Sequence, residues 1–85
     1  MTKQTHRLTA RNLPVGEEGI ERIRRIVEEK TYAKVNEVMV DVFSATAIIK
    51  VYDLVNDTNK ERLRKQTVTR LADICLSFIN SRQRP

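Results

Sequence analysis

Val38–Lys60 reads VMVDVFSATAIIKVYDLVNDTNK, and how it is divided between strand and helix decides the fold. The run gathers much of the chain's apolar content and stops at Asn56-Asp57-Thr58-Asn59, a cluster of residues suited to ending one element and capping the next. Val35, Val38, Val42, Ala45, Ile49 and Tyr52 recur at helical spacing, and Met39, Ile48 and Val55 widen the stripe. Asn36 would cap such a helix, so the stripe predicts a helix over about 36–55. The competing reading takes Val38, Val40 and Val42 as alternating strand residues within 38–43, with Ser44 capping a shorter helix over 45–55. A strand there needs a partner, and the alternation in Arg7–Leu13 offers one at 6–12. The long helix is the preferred reading, and the two-strand α+β arrangement is the alternative.

Working outward, Pro14 and Gly16 precede EEGIERIRRIVEEK, in which Ile20, Ile23 and Val27 share a helical face flanked by Ile26. Glu17 and Glu18 at its start and Lys30 at its end suit the helix dipole, and Glu18–Arg22 and Glu21–Arg25 have favourable i,i+4 spacing. This predicts a helix over about 16–30. Gly19 would weaken its first turn by about 1 kcal/mol relative to alanine. A third helical segment over about 57–80 is expected to break near 66–69, where Gln66-Thr67-Val68-Thr69 places poor helix formers together. Leu71, Ile74, Cys75, Phe78 and Ile79 mark the apolar face of its second part. The fold class expected is therefore mainly α, a small bundle of three principal helices. Residues 1–85 would form one domain, with flexible basic termini at 1–13 and 81–85.

Eighty-five residues lie near the lower limit for a domain that folds without staples. With two Phe, two Tyr and no Trp, the core must be aliphatic, and a single cysteine permits no intrachain disulfide. That cysteine usage points to a reducing cytoplasm, or to extra stability from self-association as a homodimer. No apolar leader opens the sequence and no run is long enough to span a membrane, so a soluble cytoplasmic chain is expected. The net charge of +5 is unevenly placed. Lys3, Arg7 and Arg11 open the chain with no acid among them, acids outnumber bases over 17–57, and the chain is basic again from Lys60 onward. Such polarity suits an anionic partner, either nucleic acid or the acidic face of a protein.

Residues able to do chemistry are sparse and scattered. His6 is the only histidine and Cys75 the only cysteine, so neither a cysteine–histidine pair nor a metal site with convergent ligands is expected, and no cofactor is implied. Cys75 belongs to an apolar helical face and reads as core packing. Gly16 and Gly19 lack the context of a phosphate-binding loop. Asp41 and Asp53 would be turned about 120° apart on one helix, which suits solvent-facing or capping roles better than a paired acid and base. No enzyme is expected. The basic residues Lys60, Arg62, Arg64, Lys65 and Arg70 form the one constellation with functional promise, a surface for salt-sensitive attachment to a partner. Aromatics for stacking bases are nearly absent outside the expected core, which argues against single-stranded recognition.

Two resemblances sharpen these expectations. A strand presenting Arg7, Thr9 and Arg11, followed by Pro14 and two helices, resembles the ribbon-helix-helix repressors. That likeness covers residues 6–52 and implies a dimeric DNA-binding regulator whose strand enters the major groove. The glycine-containing turn usual between its helices is missing from Glu28 to Lys34, and the third segment is surplus to that fold. The pattern V-D-x-x-[ST]-A-x-A-I-x-x-V-Y-D-x-[LV]-N-[DE]-x-N-K, spanning Val40 to Lys60, looks like a segment of small phage-encoded proteins of uncharacterised role. It covers about a quarter of the chain, consists mostly of core and cap positions, and brings no catalytic residue with it. It implies a phage accessory protein working in the host cytoplasm. The expected function is a non-enzymatic binding protein that attaches to and modulates a host macromolecule.

Overall fold

The computed structural model describes residues 10–83. Its elements run from a 3-10 turn at Ala10–Asn12 through α1 (Gly16–Glu29), β1 (Ala33–Val35), β2 (Val38–Val40), α2 (Val42–Leu54), α3 (Asp57–Arg64) and α4 (Val68–Gln83). No helix among the described residues is long and apolar enough to cross a membrane.

Helix α1 is amphipathic, burying Gly19, Ile20, Ile23 and Ile26. The chain enters it through Gly16 at φ 65°, a left-handed conformation that costs a side-chain-bearing residue about 1–2 kcal/mol. Gly19 sits so close to Val15 that an added methyl group would overlap the valine side chain. Val15 itself is buried, and its N–H donates to the Gln66 carbonyl at 2.8 Å, which ties the entry of α1 to the corner between α3 and α4. The helix ends at Lys30, left-handed at φ 52°, whose N–H bonds back to Ile26 and Val27.

The reading of the central stretch as one helix from 36 is overturned over 36–41. β1 and β2 form an antiparallel hairpin with Ala33 opposite Val40, Lys34 opposite Met39 and Val35 opposite Val38. Its two-residue turn is Asn36-Glu37, at φ 51° and 65°, the conformation that matches the twist of paired strands. Asn36 therefore turns the chain rather than capping a helix, and its side-chain N–H donates to the Leu13 and Pro14 carbonyls. The partner of the 38–40 strand is Ala33–Val35, not residues 6–12. Where those residues are described, at 10–12, they form a 3-10 turn instead of a strand, and Arg11 donates to the Glu37 carbonyl at 3.5 Å. Arg11 and Leu13 thus contact the hairpin. Arg7 and Thr9, His6 and the rest of the expected N-terminal arm lie outside the described residues, as do residues 84 and 85 of the expected tail.

Asp41, not Asn36 or Ser44, caps α2: it is extended, and its carboxylate accepts from the Ser44 N–H at 2.8 Å. Asn56 does the same for α3, accepting from the Asn59 N–H at 2.9 Å, as the capping cluster at 56–59 led one to expect. The anticipated weakness near 66–69 is a full break at 65–67, so the described residues hold four α-helices rather than three. Thr67 restarts the chain as α4, its hydroxyl accepting from the Arg70 N–H. The helix continues to Gln83, three residues past its expected end at Asn80.

The core lies between α1, α2 and α4, with Val35 and Val40 of the hairpin closing one end and Leu63 of α3 another. Ile23, Ile48, Leu71, Val35, Val68 and Cys75 are its most completely enclosed side chains. Among the described residues, the buried core side chains are aliphatic apart from Tyr52 and Cys75, in keeping with the composition.

Candidate functional site

Helix α3 divides the basic residues that follow the apolar run. At about 100° per residue, Lys60 and Arg64 lie about 40° apart on one side, Arg62 falls on the opposite side, and Lys65, at the C-cap, is turned about 100° from Arg64. The first pair turns towards Tyr52 of α2. Arg64 Nη1 donates to the Tyr52 hydroxyl at 2.6 Å, and this bond holds the guanidinium pKa above its ordinary value. Lys60 Nζ lies 5.7 Å from the centre of the Tyr52 ring and donates to the Val55 carbonyl at 3.1 Å. Both cations are half-buried and fasten α3 to the end of α2. Arg62 and Lys65 are exposed, Lys65 lying 3.9 Å from Glu61. Arg70 is exposed on the first turn of α4. The five residues therefore divide into an inward pair, an outward pair and one residue on the next helix.

The titratable groups weighed for chemistry are occupied structurally. Asp41 is a cap. Asp53 forms a two-point ion pair with Arg24 of α1, at 3.0 and 3.1 Å, and hydrogen bonding from that guanidinium holds its carboxyl below the usual range. Arg24, rather than the expected Arg22 or Arg25, makes the ion pair of α1, and it makes it to α2. Cys75 is enclosed in the core, where burial pushes its thiol up to about 11. Among the described residues, no group of three or more His, Cys, Asp or Glu side chains comes together to hold a metal.

What the basic-strip reading missed is an apolar groove along the seam of α2 and α4. At one end it is bounded by Val42, Phe43 and Leu76. Its most voluminous part, about 710 Å³, lies over Ile49, Val51, Leu54 and Phe78 and reaches Val27 of α1. It continues past Val55 to Leu63 and Ile74, where Arg62 forms an edge. The three parts adjoin one another, with Thr46, Lys50 and Ile79 lining both at one join and Val51 and Phe78 at the other. Phe43 is 71% exposed and Leu54 69%, the most open of the large hydrophobics described. The sequence held a signal for this. Helix α2 is apolar almost all round, more than one core-facing stripe requires.

Compared with known proteins, the chain matches no family model, no curated protein and no solved structure.

Proposed function

We propose that this chain is a small non-enzymatic binding protein that attaches to and modulates a host macromolecule. The likeness of Val40–Lys60 to phage-encoded segments supports a phage accessory role in the host cytoplasm. The observation that carries the reading is the row of adjoining hollows along α2 and α4, with Phe43 and Leu54 exposed at 71% and 69% and cationic Lys50 and Arg62 among the lining residues. An open apolar strip of this kind on a small domain marks a contact surface. Its chemistry favours a protein over a nucleic acid, because an apolar floor offers phosphates nothing, while Lys60 and Arg64 are engaged with Tyr52. The basic contribution to binding then falls to Arg62, Lys65 and Arg70, all exposed.

The test is affinity capture from a host lysate with and without nuclease, comparing the unaltered chain with Phe43→Ala and Leu54→Ala. A dominant protein partner that survives nuclease and is lost from both variants is the expected result. Loss of every partner on nuclease treatment would overturn the protein-binding reading and return attention to nucleic acid.

A further inference from the structure

We infer that the α2–α4 groove receives an amphipathic α-helix of a partner protein, carrying acidic residues beside its apolar stripe. This rests on the reading of the chain as a protein-binding module and names the shape and charge of what it binds.

Length and form come first. Helix α2 has 13 residues, about 20 Å at 1.5 Å per residue, and the groove follows it from Phe43 to beyond Val55. That length accommodates a helix of three to four turns. The ends of α2 and α4 are opposed, since Val42 and Phe43 share a lining with Leu76 and Asn80, whereas Val51 and Val55 share one with Ile74. Two antiparallel helices present a furrow between their side-chain ridges, and a third helix is the element that fills it.

Charge then selects the occupant. Among the described residues neither Lys50 nor Arg62 makes an ion pair, and Asp53, the one acid lining the groove, is already held by Arg24. The rim is therefore cationic, and acids flanking an incoming apolar stripe would complement it. A second copy packed groove to groove would bring its own Lys50 and Arg62 to the same rim, like charge against like. The chain's own first nine residues carry Lys3 and Arg7 and no acid, so they meet the same objection.

The experiment uses two fluorescein-labelled, crosslinked helical peptides of identical leucine stripe, one flanked by Glu and one by Lys, titrated by fluorescence anisotropy. With the full chain, the Glu-flanked peptide should bind about tenfold tighter than the Lys-flanked one, and the preference should shrink as salt is raised. In the double variant Lys50→Glu, Arg62→Glu the preference should invert. Phe43→Ala and Leu54→Ala should each weaken both peptides, and since these side chains are largely exposed, circular dichroism should show the fold intact. Equal binding of the two peptides, or variants without effect, would overturn the inference. So would a dimer, seen by sedimentation, that dissociates in Leu54→Ala, because a second copy would then own the groove. If neither peptide binds but Phe43→Ala still releases a nuclease-resistant partner, the helix inference fails and the broader reading stands. If nuclease strips every partner as well, both fail.

Discussion

Asp53 and Cys75 illustrate how far the environment of one side chain sets its titration. The Arg24 guanidinium lowers the Asp53 pKa from its ordinary 3.8, so the pair contributes stability above that value and the contribution is lost as pH falls through the lower folded-state value. Both partners are partly solvated, which holds the expected effect of Asp53→Asn to about 0.5–1 kcal/mol. Urea denaturation at pH 7 should show that loss, and the gap from the unaltered chain should narrow as the pH falls below 3.8 and the carboxylate is protonated in the folded chain too. The Cys75 thiol moves the other way, from 9.0 to about 11, because burial disfavours the thiolate. Its stabilising contribution is complete below pH 9 and is lost as pH rises towards 11. At pH 8 the folded chain holds about a hundredfold less thiolate than a free cysteine, so iodoacetamide labelling should be slow and should accelerate with the unfolding induced by urea.

Among the elements, the hairpin is where local signals competed. Val35, Val38, Val42, Ala45, Ile49 and Tyr52 do keep a helical spacing, but the first two belong to paired strands and the others to α2. Val35 and Val40 face the core from the hairpin, and Ala45, Ile48, Ile49 and Tyr52 continue that core from the helix. A strand that runs into a helix with one intervening cap can mimic a single helical stripe. The turn was masked because its second residue is Glu37, not the glycine that usually follows Asn in such a turn. Elsewhere local chemistry and tertiary packing agreed, which is why α1, the Asn56 cap, the break before α4 and the burial of Cys75 were legible. The basic strip was half legible: charge is visible in a sequence, but the attraction of Arg64 and Lys60 to Tyr52 depends on how α3 folds back on α2. Glu37→Gly relieves a left-handed residue at φ 65° and should stabilise the domain by about 0.5–1 kcal/mol after the entropy of glycine is counted, measurable as a higher denaturation midpoint. Destabilisation would show that the turn in solution has another geometry.

At the scale of the whole molecule, the proposed function assigns the two sides of α3 different work: Lys60 and Arg64 hold α3 to Tyr52, and Arg62 and Lys65 are left exposed. Reversing Arg62 and Lys65 to Glu should reduce partner binding without changing the thermal midpoint appreciably, because both are exposed and Lys65 has only a 3.9 Å contact to Glu61. Reversing Arg64 should lower the midpoint, since it removes the cation that donates to Tyr52. Equal behaviour of the two variants in thermal melts would contradict the division. The hydrogen bond from Val15 to the Gln66 carbonyl has a temporal meaning as well. About 50 residues separate the two, which at ~5–20 residues per second of synthesis is roughly 3–10 s. During that interval the segment that becomes α1 is on the nascent chain without its anchor, and Ile20, Ile23 and Ile26 await the helices that cover them. Growth of this domain on the ribosome is thus a period of exposure closed by its last helices, and a chaperone that recognises short aliphatic segments would have its opportunity there.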